Sequence, residues 1–105
     1  MPREQFQTLS EPMYYILLAL MEECCGTDVM KQVADISGGR VLVGPGTVYA
    51  LLDKFQKNGI IKETTCRGRK RFYRITEQGK ERLQAEYRHL KHLLTDGAAI
   101  LEDMS

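Results

Sequence analysis

Apolar residues recur along this chain in several different rhythms, and each rhythm predicts a different element. From Met13 to Met21 they are nearly continuous: Met13, Tyr14, Tyr15, Ile16, Leu17, Leu18, Leu20 and Met21. This predicts a helix over roughly Glu11 to Cys24. Ser10 is its N-cap, Glu11 and Pro12 lie in its first turn, and Leu9 is available as a staple against Tyr14. A helix without a polar face must be covered on two sides, and a domain this small covers only one. Another subunit is the expected second cover. Residues 1–9 form a short arm with no clear period.

The rhythm then thins to single stripes. Gly26 closes the first helix in this reading, and Thr27 caps a second whose face is Val29, Met30, Val33 and Ile36, ended by Gly38-Gly39. Arg40-Val41-Leu42-Val43 reads as a short strand that pairs with a later hairpin. Pro45 opens a third helix with the stripe Val48, Leu51, Leu52 and Phe55, and Asn58-Gly59 ends it. A hairpin follows, Ile60 to Thr65 against Arg71 to Thr76, around Cys66-Arg67-Gly68-Arg69-Lys70. Strand alternation puts Tyr73 and Ile75 on one face, the expected core, and Phe72 on the other, beside the hairpin's basic residues or as a lid on a dimer.

The last rhythm is longer. Leu83, Tyr87, Leu90, Leu94, Gly97, Leu101 and Met104 alternate at spacings of 4 and 3, a coiled-coil seam with one weak rung at Gly97. Capped by Thr76 and running to about Met104, such a helix is roughly 42 Å long at about 1.5 Å per residue. A body of about 75 residues is only on the order of 30 Å across. The helix therefore overhangs its own domain and its seam needs a partner. Tyr14, Leu18, Leu83, Tyr87, Leu90, Leu94, Leu101 and Met104 are the expected dimer interface. The fold class is mainly α with a small β-hairpin wing: a winged helix-turn-helix domain over residues 1–76 and a long C-terminal dimerisation helix over 77–105.

Charge sharpens this picture. A net charge of +1 over 105 residues excludes a chain-wide polyelectrolyte, so nucleic-acid binding must use a local patch. Between Cys66 and Thr76 there are five cations (Arg67, Arg69, Lys70, Arg71, Arg74) and no acid. Lys and Arg also guard exposed sheet edges, but an edge needs one or two, and mixed signs serve. A helix followed by a cationic ribbon grips DNA, with the helix in a groove and the ribbon along phosphates. Arg67 or Arg69 suits a narrow minor groove. Thr47, Tyr49, Ala50 and Lys54 face outward on the third helix, and Arg40 joins the DNA-binding set. Tyr49 has a second reading, packing against the Arg40–Val43 strand. Asp53 is expected to pair with a basic neighbour rather than touch phosphate.

Other chemistry finds little footing. Three cysteines, two of them adjacent, argue against a disulfide framework and for a reducing cytoplasm. Cys24 and Cys25 diverge by roughly 100° on a helix and chelate one ion poorly. They read as a reactive thiol or as buried helix-end packing. His89 and His92 share a helix face with Glu86 as the best third ligand, an unconvincing set, so neither metal nor cofactor is expected. No phosphate-binding glycine loop, nucleophile motif or carboxylate pair outside surface-like positions appears, which argues against the common enzyme classes. The N-terminus lacks a secretory pattern, and no apolar run reaches the roughly 18 residues of a membrane span.

The motifs Leu17-Leu18-Ala19-Leu20, Gly26, Gly46-Thr47-Val48-Tyr49, Asn58-Gly59-Ile60-Ile61, the Lys70–Thr76 strand and Glu77-Gln78-Gly79, in this order, resemble the PadR-like transcriptional regulators, in the short branch with a single C-terminal helix. The resemblance implies a homodimeric repressor that contacts a pseudo-palindromic operator in double-stranded DNA through the third helix and wing, with release by a small aromatic or lipophilic effector as a further implication. The chain has no tryptophan, so the indole wall of drug-binding relatives has no counterpart. The competing readings are a winged-helix protein-interaction module without DNA binding, and a metal- or redox-sensing repressor.

Overall fold

Ser10 caps the first helix. Its hydroxyl accepts from the Met13 amide and its own amide donates to the Met13 sulfur, both at 3.4 Å, so two backbone donors at the helix start are satisfied. The computed structural model describes residues 8–104, and of the N-terminal arm residues 1–7 lie outside it. Helix α1 spans Glu11–Ala19, strand β1 Cys24–Cys25, helix α2 Gly26–Ser37 and helix α3 Pro45–Lys57. Strands β2 (Ile61–Arg67) and β3 (Lys70–Ile75) form the hairpin, helix α4 spans Glu77–Leu101, and a 3-10 turn covers Glu102–Met104.

Three expected boundaries are corrected. Helix α1 stops at Ala19, not Cys24, because the Leu20 carbonyl accepts from the Ile75 amide (2.8 Å), which ties the chain to the sheet. Gly26 then opens α2 rather than closing α1, and Cys25, not Thr27, is the N-cap. The third strand comes from Cys24–Cys25, paired antiparallel with Tyr73 and Phe72, so the sheet order is β1-β3-β2. Arg40–Val43 is not a strand. Ser37 takes up its backbone groups instead: its hydroxyl accepts from the Val41 amide (3.0 Å) and lies 3.3 Å from the carbonyls of Ala34 and Val41.

The other stripes pack much as expected. Ile16, Leu17, Leu20, Val29, Val33, Val48, Leu52 and Phe55 are buried with Ile60, Ile61, Tyr73, Ile75 and Leu83 in one core, against which Met30 and Leu51 are half-buried. Ile36 is the exception and faces outward. Removing such side chains from water stabilises the fold by about 1.5–3 kcal/mol each.

Thr76 joins the wing to α4. Its hydroxyl accepts from the Gly79 amide (3.0 Å) as N-cap, while its own amide donates to the Ile60 carbonyl (2.9 Å). Gly79 lies so close to the hairpin that a Cβ there would collide with the Ile60 carbonyl oxygen. The root of α4 is therefore part of the body, with Gly79, Leu83 and Glu86 buried and the Glu86 carboxylate accepting from the Leu9 amide (3.4 Å). Beyond it the helix runs through Gly97 without interruption and stretches the molecule to 56 Å on its long axis. Tyr87, Leu90, Leu94 and Leu101 on this overhang are exposed, as are Leu93 and Ile100 beside them. The side chain of Met104 lies outside the described residues.

Candidate nucleic-acid interface

The wing is built so that its cations stay in solvent while its base joins the core. Strands β2 and β3 pair Ile61 with Ile75, Cys66 with Arg71 and Arg67 with Lys70, with an irregularity between Glu63 and Thr65. Gly68 turns the tip at φ 62°, and Arg69 follows it. Tyr73 and Ile75 are buried as the alternation requires, whereas Arg67, Arg69, Lys70, Arg71 and Arg74 are all exposed. Phe72 is half-buried, with the Arg67 guanidinium 5.6 Å above its ring, a cation–π contact that holds this arginine along the strand. The ion pairs between described residues are Asp53–Lys57 (3.0 Å) and Glu77–Lys80 (3.2 Å), and neither involves a wing cation.

Helix α3 presents Thr47, Tyr49, Ala50 and Lys54 to solvent, with Gly44 as N-cap and Pro45 in its first turn. Asp53 takes Lys57 as its partner, the basic neighbour anticipated for it. Tyr49 does not pack on a strand at Arg40–Val43. Its ring rests instead on the start of α2: a Cβ on Gly26 would lie 2.6 Å from Cε1 and 3.0 Å from Oη. Between Tyr49, the start of α2 and the wing lies a cavity of about 310 Å³, lined by Cys25, Gly26, Thr27, Tyr49, Arg69, Lys70, Arg71 and Tyr73. Three wing cations and one tyrosine of α3, far apart in sequence, are thus brought to one place.

Arg40 is not among those lining residues. Its guanidinium donates to Tyr15 Oη on α1 (2.8 Å). Gly26 and Thr27, by contrast, line the cavity, although the apolar pattern marks them as a helix stop and a cap. No periodicity in the sequence signals that a glycine at one helix start receives a tyrosine ring from another.

A second hollow of about 170 Å³, mostly apolar, lies at the root of the overhang between Tyr14, Leu18, Met21, Leu83 and Tyr87. Burial and then the nearby Tyr87, Tyr15 and Glu86 raise the Tyr14 pKa above its usual value, which keeps this phenol neutral. The thiols are free: Cys25 is buried, Cys24 half-buried and Cys66 exposed. Burial, followed by Asp28 and Cys25, pushes the Cys24 thiol up to about 11, unlike a reactive thiolate. Among the described residues no three His, Cys, Asp or Glu side chains are grouped to hold a metal ion.

A family profile described as the transcriptional regulator PadR-like family matches residues 16–85. The chain belongs to that family. Its members regulate transcription and are not enzymes. The PadR-like fold extends to solved structures. A transcriptional regulator from Clostridium thermocellum superposes with a TM-score of 0.72 at 19% identity, covering 93% of this chain and 91% of that one. A PadR-like transcriptional regulator from Bacillus cereus gives 0.69 at 25% identity, with 84% and 88% covered. PadR from Bacillus subtilis, solved in complex with operator DNA, gives 0.60 at 24% identity, with 74% and 47% covered. No curated protein matched the sequence. No helix among the described residues is long and apolar enough to cross a membrane.

Proposed function

We propose that this PadR-like regulator is a cytoplasmic homodimer that binds double-stranded DNA sequence-specifically and acts as a repressor. The observation that carries the reading is the cluster of exposed wing cations beside the outward face of α3, with no carboxylate paired to it among the described residues. Residues 1–76 are the DNA-reading body and 77–105 the dimerising helix. Thr47, Ala50 and Lys54 face the groove, while Arg67, Arg69, Lys70, Arg71 and Arg74 lie along the backbone and supply affinity that does not depend on sequence. Two copies joined through Tyr14, Leu18, Tyr87, Leu90, Leu94, Leu101 and Met104, with Leu83 withdrawn from the expected interface into its own core, present their α3 helices about one DNA turn apart, roughly 34 Å or a multiple, to a pseudo-palindrome. That the Bacillus subtilis relative was solved with operator DNA supports the DNA-binding part of this reading. The apolar hollow at Tyr14, Leu18 and Tyr87 supports release by a small aromatic or lipophilic effector held between subunits.

Each cation that meets a phosphate releases counterions, so the wing is tested by salt. Replacing Arg69 and Lys70 together by alanine weakens binding to all duplexes and flattens the slope of log affinity against log salt by about two units. An unchanged slope removes the wing from the interface.

A further inference from the structure

The cavity between wing and α2 has no carboxylate in its lining, yet Arg69, Lys70 and Arg71 converge on it from the wing. Tyr49 brings a hydroxyl from α3. Among the described residues this hydroxyl makes no hydrogen bond. The first turn of α2 has no side-chain cap, so its backbone amides remain donors beside the same space. Gly26 is what lets the parts meet, because any Cβ there would occupy the position of the Tyr49 ring. The charged groups at this place are all cations, and the Tyr49 hydroxyl and the α2 amides beside them can donate.

Building on the DNA-binding reading, we infer that this cavity seats one phosphodiester of the duplex backbone, with the Tyr49 hydroxyl donating to a phosphate oxygen and Arg71 and Lys70 neutralising its charge. Tyr49 is then a positioning residue that fixes how α3 enters the groove, and the bases are left to Thr47, Ala50 and Lys54. A phenol is uncharged, so its loss removes a hydrogen bond to a charged acceptor without removing a counterion-displacing cation. That combination separates it from the wing arginines.

The experiment compares wild type, Tyr49→Phe and Gly26→Ala on a duplex recovered by selection from genomic DNA and on a scrambled duplex of equal length, across a salt series. Tyr49→Phe is expected to lose about tenfold in affinity on both duplexes with the salt slope unchanged. Gly26→Ala has an ordinary backbone conformation and displaces the ring, so it is expected to reproduce that loss while unfolding like wild type. Equal affinity of wild type and Tyr49→Phe overturns the inference, and a loss confined to the selected duplex overturns it too, by making Tyr49 a base reader. Inorganic phosphate at constant ionic strength is expected to compete for the same seat and to weaken wild-type binding more than that of Tyr49→Phe, and equal weakening of both overturns the assignment. Failure of wild type to bind either duplex sinks the DNA-binding reading itself, and this inference with it.

Discussion

Two cysteines on the outer strands of this sheet have opposite chemical prospects. Cys66 is exposed on the wing, whereas Cys24 is half-buried and its thiol is pushed up to about 11. Thiolate is the reactive species, so at pH 8 iodoacetamide is expected to label Cys66 first and to leave Cys24 largely unmodified in the folded protein, as peptide mass mapping would show. A raised pKa means the folded state holds the Cys24 proton that the unfolded chain releases earlier. Its contribution to stability is therefore complete below about pH 9 and is lost as pH rises toward 11. Equal labelling of both thiols would return Cys24 to the list of sensing residues. At this scale residue type was an uneven guide. The wing cations were legible because charge on a short hairpin has few places to go. The outward position of Tyr49 was legible too, but its seat against Gly26 was not, because that glycine comes from another helix, and only the superposition of ring and absent Cβ reveals the pairing.

Helix α4 carries the same substitution with opposite signs at its two ends. At Gly79 a Cβ meets the Ile60 carbonyl and the Ile75 side chain, backbone and core that cannot yield. At Gly97 it meets only Leu101 Cδ1 at 3.9 Å, an ordinary contact. Alanine is the better helix former by about 1 kcal/mol. Gly97→Ala is accordingly expected to stabilise by up to about that amount, while Gly79→Ala destabilises by about 1–3 kcal/mol through overpacking. Urea unfolding of both variants distinguishes the two, and equal shifts would mean that α4 does not sit against the hairpin as described.

Elements were legible in proportion to their period. The stripes of α2 and α3 and the long seam of α4 each repeat often enough to be recognised, and Ser10, Gly38 and Thr76 mark ends by their own chemistry. Strand β1 has only Cys24 and Cys25, too short for any period, and it prolongs the apolar run of α1. What ends α1 is a bond from the distant Ile75 amide to Leu20, which no local pattern announces.

At the scale of the whole molecule, the apolar side chains along the overhang demand an account. Leu83, at the root, is only 5% exposed because its own body covers it, while Leu94, three turns along the same seam, is 71% exposed. An exposed apolar stripe of this kind marks an interaction surface, and each leucine it buries favours association by about 1.5–3 kcal/mol. Leu94→Asp places a charge in the middle of that seam without disturbing a contact of the folded body. The expected outcome is a monomer by sedimentation velocity at micromolar concentration, with the wild-type helix content by circular dichroism. A monomer engages one half-site at a time and forfeits the effective concentration that ties the second to it, a loss of about a hundredfold or more in operator affinity. Leu83→Asp is the contrast, because a charge in the core unfolds the chain rather than separating copies. If Leu94→Asp remains a dimer, the seam is not the surface that joins the subunits. The spacing of roughly 34 Å between recognition helices then loses its physical basis.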